Sequence, residues 1–363
     1  MSAVAVEVAA PVALVETAPG VGTAPVATAG AAVAAVRVGL GQAVNRALAA
    51  AMEADPKVLV MGEDVGALGG VFRVTAGLKD RFGAERVRDT PLGEAGIIGA
   101  AIGLALRGYR PVCEIQFDGF VFPAFNQITT QLAKLRARSR GRLSVPVTIR
   151  IPYGGRIGAI EHHSESPEAL FAHTAGLRVV SPSDPQEAYQ MTRAAIDCPD
   201  PVIVFEPKAL YWSKGEVVPG EVGEERGRAL LNRARVVRPG RDVTLAAYGP
   251  SVPQALAAAD QLAGAGTEAE VVDLRAISPI DFDAIEASVA RTGRLVVVHE
   301  APVFFGAGAE VAARITERCF YLLEAPVLRL GGYHLPYPPA LAETDHLPGP
   351  DRIVAQVRRA LAF

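Results

Sequence analysis

Residues 89–117 read DTPLGEAGIIGAAIGLALRGYRPVCEIQF, and the fold class turns on this stretch. Thr90-Pro91 suits a helix start, with Thr90 as cap and Pro91 at the first helical position. The pattern predicts a long helix to about residue 107, then an apolar strand over 111–117. Working outward, the alternation continues on both sides. Upstream lie a predicted helix over 41–55, a strand over 57–61 and a helix over 75–82. Downstream lie a helix over 123–138, a strand over 145–151, a Gly- and His-rich loop over 154–166 and a short helix over 167–173. A strand over 177–181, a helix over 185–196 and a strand over 202–205 complete the set. Alternation of this kind implies an α/β fold, a doubly wound and mainly parallel sheet with helices on both faces.

A second, smaller α/β set follows, with strands over 243–248, 269–274 and 295–299 and helices over 252–262, 282–291 and 309–318. The charged, weakly periodic stretch 207–241 reads as a linker. Residues 1–36 are nearly all Ala, Val, Pro, Gly and Thr, with Glu7 and Glu16 as the only acids, and read as a disordered tail. They carry neither the basic start of a secretory signal nor the arginines of a transit peptide. The expected division is tail 1–36, first domain 37–206, linker 207–241 and second domain 242–363.

The chain has 363 residues, half of them hydrophobic and 21% charged, which is ordinary globular composition. A net charge of −3 gives no basic footprint for nucleic acid. Cys113, Cys198 and Cys319 form no CxxC pair, which argues against a disulfide framework and for a reducing compartment. The apolar run 24–36 is too short to span a membrane and is broken by Pro25. The expectation is a cytoplasmic protein with neither membrane nor nucleic-acid partner.

No phosphate cradle is recognisable. Gly39-x-Gly41 is followed by Val44 and Gly306-x-Gly308 by Val311, so GxGxxG is absent, as is GxxxxGK[ST]. A phosphorylated cofactor would need its phosphate end held by another chain. In an open parallel sheet ligands sit at the carboxyl ends of strands. There the sequence places Glu63-Asp64, Thr90 to Glu94, Glu114 to Phe117, and Glu161-His162-His163. Glu94 opens a run of small apolar residues whose tight burial would raise its pKa, while the helix N-terminus lowers it. That balance suits a proton shuttle, and equally a first-turn glutamate favourable to the helix dipole. His162-His163 reads as a metal ligand pair, as a general acid/base or as a surface loop. Phe117, Phe120, Phe122 and Phe125 suit either a strand-to-helix core or stacking on a flat heterocycle.

Five motifs, in order, carry a resemblance: GEDVGALGGVFRVT (62–75), DTPLGEAGI (89–97), EIQFDGFVFPAFNQI (114–128), HHSESPEALFAH (162–173) and FEPKALYWS (205–213). With DVTLAAYG (242–249) and VVHEAP (297–302), the chain from about Val38 onward closely resembles β subunits of thiamine-diphosphate-dependent 2-oxoacid dehydrogenases. The resemblance implies a transketolase-like pyrimidine-binding domain followed by a transketolase C-terminal-like domain. It implies thiamine diphosphate shared with an α subunit that holds the diphosphate and Mg2+. Glu94 matches the glutamate that hydrogen-bonds N1′ of the aminopyrimidine, and Glu63, Leu92, Gln116 and Phe120 match positions around that ring. At 120 branched-chain relatives carry tyrosine, so Phe120 keeps the stacking face and loses a hydroxyl. His163 matches a histidine that helps acyl transfer to lipoamide.

A structural K+ is also implied near Val147, Thr148, Cys198 and Asp200, although the turn 197–200 departs from the family pattern. The implied assembly is an α2β2 heterotetramer docked on a dihydrolipoyl acyltransferase core. SPEALFAH and FEPKALY resemble the branched-chain type more than the pyruvate type, so the leading function is the β subunit of a branched-chain 2-oxoacid dehydrogenase, an oxidoreductase of branched-chain amino acid catabolism. The alternatives are a pyruvate or acetoin dehydrogenase β subunit, and a non-catalytic assembly subunit. A self-contained transketolase-like enzyme lacks its diphosphate domain, and a flavin electron-transfer subunit leaves DTPLGE unexplained.

Overall fold

The computed structural model describes residues 34–363, so most of the expected tail lies outside the described residues. Its expected end at residue 36 is corrected by β1 (Val36–Gly39), which already forms a strand there. Next come α1 (Leu40–Ala54), β2 (Val58–Gly62), α2 (Leu78–Phe82), β3 (Val87–Asp89), α3 (Glu94–Leu106) and β4 (Arg110–Glu114). An irregular helical run over 118–138 ends in α4 (Leu135–Arg138). Then follow β5 (Thr148–Tyr153), α5 (Glu168–Ala172), β6 (Arg178–Val180), α6 (Pro185–Asp197) and β7 (Val202–Pro207). The stretch read as a linker carries β8 (Lys214–Val217), α7 (Glu224–Leu230) and β9 (Arg235–Arg238). The second set comprises β10 (Val243–Ala247), α8 (Ser251–Ala263), β11 (Ala269–Asp273), β12 (Ala276–Ser278) and α9 (Phe282–Thr292). It closes with β13 (Leu295–Pro302), α10 (Ala307–Cys319), β14 (Leu328–Gly332), α11 (Glu343–His346) and α12 (Pro350–Leu361).

The first sheet runs β12-β6-β7-β5-β4-β2-β3, parallel throughout except for β12. Its central strands are buried along their whole length, as strands covered by helices on both faces must be. On one face Leu40, Val44, Leu48 and Met52 of α1 pack with Tyr189 and Ile196 of α6. On the other, Ile97, Ile98 and Ala101 of α3 pack with Ile128 and Leu132. That second cluster continues through Tyr153 and Phe205 to Tyr248, Ile285 and Val297 of the second set, so the two sheets share one core. The second sheet runs β14-β13-β10-β11-β9, parallel except for β9. Among the described residues no helix is long and apolar enough to cross a membrane.

Three details correct the sequence reading. The helix expected from Thr90-Pro91 starts instead at Glu94, with Gly93 as cap. Thr90 N–H donates to Gly62 O (2.9 Å), which keeps the chain extended past β3. Gly93 N–H is satisfied by the Glu63 carboxylate, 30 residues away, rather than by a local side chain. The expected tight burial of residues 95–103 holds for one face only: Ile97, Ile98 and Ala101 are buried, whereas Gly96, Gly99, Ala100 and Gly103 are exposed. Finally, the helix expected over 123–138 is a 3-10 segment, a π turn, a second 3-10 turn and a short α turn. Pro123 lies inside it, and Thr129 and Thr130 donate to Phe125 O and Asn126 O, competing with regular pairing.

Candidate active site

The carboxyl ends of β3, β2 and β4 lie side by side, because β2 pairs with both neighbours. That topology gathers residues far apart in sequence. From β2 come Glu63 and Asp64, from the turn after β3 come Leu92 and Gly93, and from β4 comes Gln116. Glu63 Oε1 accepts from Gly93 N–H at 3.1 Å. Gln116 Nε2 donates to Glu63 O at 3.3 Å and to Asp64 Oδ2 at 3.0 Å. Burial pushes the Glu63 carboxyl up, opposed by the Gly93 N–H and reinforced by the negative charges of Glu94 and Asp64. Glu94, the first residue of α3, is itself buried. Two carboxylates thus converge at a helix N-terminus, an arrangement suited to holding or passing a proton. Leu92 stands at the rim, 85% exposed.

Beside this pair is an aromatic group. The Phe117 ring lies 4.0 Å from the His163 ring, centroid to centroid, and Phe120 meets His163 edge-on at 5.1 Å. Of the four phenylalanines in the run, these two face the site. Phe125 packs on Phe171, and Phe122 is exposed. Burial, aided by His162, lowers the His163 pKa, so the ring is neutral at physiological pH. His163 Nδ1 and Thr90 Oγ1 are both buried without a protein partner. Buried polar atoms without partners near a cluster of carboxylates and aromatic rings fit a flat heterocycle with ring nitrogens and exocyclic polar groups. Among the described residues no three His, Cys, Asp or Glu side chains gather as metal ligands.

The support beneath this group was not legible in the sequence. Asp118 and Lys208 form a fully buried ion pair, with the ammonium also 5.6 Å from the Phe117 ring centroid. Asp118 Oδ2 accepts from Glu165 N–H at 2.8 Å, tying the histidine loop to the 3-10 turn. Gly119 lies so close to His162 O that a β-carbon would collide with it. Under the sheet, Arg150 of β5 spans Glu114 of β4 and Glu206 of β7 with bonds of 2.6 to 2.8 Å, which locks the strand ends in register. FDGF and FEPK contain the Asp118–Lys208 pair, but a separation of 90 residues hides it from any local pattern.

Val147 and Thr148, at the start of β5, do come near the turn after α6: Val145 N–H donates to Pro199 O at 3.2 Å. They sit at the opposite end of the sheet from Glu94. The Asp200 carboxylate is committed to Arg136 at 2.6 Å and Arg178 at 3.5 Å, which makes it a poor ligand for a cation.

Residues 37–213 match the family model of the transketolase pyrimidine-binding domain, and residues 232–353 that of the transketolase C-terminal domain. The chain is 58% identical over 322 residues to the pyruvate dehydrogenase E1 component subunit beta of Leifsonia xyli, covering 89% of this chain and 94% of that one. It is 55% identical over 321 residues to the 3-methyl-2-oxobutanoate dehydrogenase subunit beta of Mycobacterium tuberculosis, covering 88% and 91%. Among solved structures, a split-gene transketolase described as an inactive beta4 tetramer is similar with a TM-score of 0.71 and 25% identity, over 90% of this chain and 98% of that one.

Proposed function

We propose that this chain, which belongs to the E1 β subunits of the 2-oxoacid dehydrogenases, supplies the pyrimidine half of a thiamine diphosphate site completed by an α subunit. The observation that carries the reading is the convergence of Glu63 and Glu94 beside Phe120 and His163 at one sheet edge. The cofactor, when bound, supplies an electron sink for loss of carbon dioxide from a 2-oxoacid. The Glu94 carboxylate would hydrogen-bond a ring nitrogen of the aminopyrimidine and share a proton with it, and Glu63 fixes the turn that presents Glu94. Phe120 gives an apolar wall, and Gln116 orients the Glu63-Asp64 turn. His163, neutral and aimed at the site, serves the later transfer of the acyl group to a lipoyl group. The exposed Leu92 and the exposed small-residue face of α3 fit a surface that another subunit covers. The proposed assembly is α2β2, with Mg2+ on the α chain and docking on an acyltransferase core.

For substrate we propose branched-chain 2-oxoacids first, on the SPEALFAH and FEPKALY runs, and pyruvate or acetoin as the second reading. Dye-coupled oxidation of 3-methyl-2-oxobutanoate, 4-methyl-2-oxopentanoate and pyruvate by this chain co-purified with its α subunit tests both. Activity only in the mixed complex, highest on branched substrates, is expected. Preference for pyruvate overturns the substrate choice, and activity of this chain alone overturns the shared site. Replacing His163 by Ala is expected to lower lipoyl acylation about 100-fold and dye-coupled decarboxylation far less. Equal loss of both would mean that the histidine only packs.

A further inference from the structure

The loop between β5 and α5 bears His162 and His163 and is closed at its base, where Gly154 N–H donates to Glu165 O at 3.0 Å. Its trailing arm is fixed within the first sheet's layer through Glu165 and Asp118. Its leading arm is fixed to the other sheet's layer. Gly155 N–H donates to Glu300 Oε2 at 3.2 Å, and Arg156 N–H to Glu343 Oε1 at 2.6 Å. Arg156 Nε donates to Glu300 Oε1 at 3.1 Å, and its Nη2 to Pro348 O at 2.7 Å. Glu300 belongs to β13 and is almost completely buried; Glu343 opens α11, and the same Oε1 also accepts from Tyr337 Oη at 2.6 Å.

None of these bonds is needed to close the loop. Arg156 nevertheless sits at φ +67°, a backbone conformation disfavoured for any residue with a β-carbon. Gly154 and Gly158 take the positive-φ positions on either side. An arginine kept where glycine would be easier points to a requirement for the side chain itself. Without the guanidinium, the buried Glu300 carboxylate keeps only the Gly155 N–H among these donors.

We propose that Arg156 is a positioning residue, whose guanidinium fastens the loop bearing His163 to Glu300 and to the Pro348 carbonyl so that the second domain sets where that histidine stands over the site. The catalytic consequence rests on the reading of His163 given above. R156G relieves the backbone and removes the guanidinium, and R156K keeps the charge. In the complex with the α subunit, amide hydrogen exchange over residues 157–163 is expected to rise about tenfold in R156G. Acyl transfer to a lipoyl domain is expected to fall about tenfold, through misplacement of one group. Decarboxylation measured with a dye falls several-fold less, and R156K recovers part of the loss. Unchanged exchange over 157–163, or equal loss of both reactions, overturns the positioning role. Exchange needs no substrate. If the wild-type complex acylates no lipoyl group while R156G still exchanges faster, the reading of His163 fails and the fastening of its loop stands.

Discussion

Glu94→Gln is expected to abolish turnover and to leave the fold intact. The substitution keeps the volume and one hydrogen-bonding oxygen at the first position of α3. It removes a negative charge from a helix N-terminus, which costs about 0.3–1 kcal/mol of stability. Against that small loss stands the loss of the group proposed to share the proton, about 100- to 10,000-fold in rate for general acid–base catalysis alone. Glu63 does not substitute for it, because its carboxylate is occupied by Gly93 N–H and faces the turn. Dye-coupled oxidation by the mixed complex, paired with the thermal midpoint of the variant, separates the two effects. Near-wild-type decarboxylation by Glu94→Gln would sink the assignment and favour the reading of a non-catalytic assembly subunit. A variant that fails to fold would instead show that Glu94 is structural.

Lys208→Met gives the largest expected loss of stability. Both partners of the Asp118–Lys208 pair are fully buried, so removing the ammonium leaves an uncompensated carboxylate in the interior. Such a loss costs about 3–5 kcal/mol. It carries a pH signature. Burial already pushes Asp118 up to about 6, against an ordinary value of 3.8, while Lys208 pulls it back; without Lys208 it rises further. A carboxyl raised in the folded state favours folding when protonated, so that stability is present below the unfolded value and is lost as pH rises through the folded one. The deficit of Lys208→Met is therefore smaller near pH 5 than near pH 8. Urea unfolding at the two pH values measures it, and adding Asp118→Asn should recover part of the loss. A deficit under about 1 kcal/mol that is flat with pH would show that the pair contributes nothing net.

The two experiments bear on different kinds of information. Glu94 could be singled out because DTPLGEAGI is a local string, and Glu63 and Gln116 fall at strand ends that alternation alone predicts, whereas Phe120, on the 3-10 segment after β4, was singled out through the resemblance. The start of α3 was not legible: Thr90-Pro91 is a sound local signal, overridden by Gly62 O and the Glu63 carboxylate. Nor was the exposure of Gly96, Gly99 and Gly103, since a run that is apolar all round does not say which face will be covered. The stretch 207–241 read as a linker because its elements are short, yet β8 pairs with β1 and β9 joins the second sheet.

Periodicity and local strings therefore determined the α/β class, the order of most strands and helices along the chain, and the short list of residues at the strand ends. Those features depend on spacings of a few residues, which a sequence displays directly. Tertiary structure alone decided that β12 crosses to the edge of the first sheet, that Asp118 meets Lys208, and that Arg156 reaches Glu300 and Glu343. These contacts join groups about 90 to 190 residues apart. Their partners are chosen by the packing of whole layers, and the burial that makes them matter exists only once the two sheets share a core.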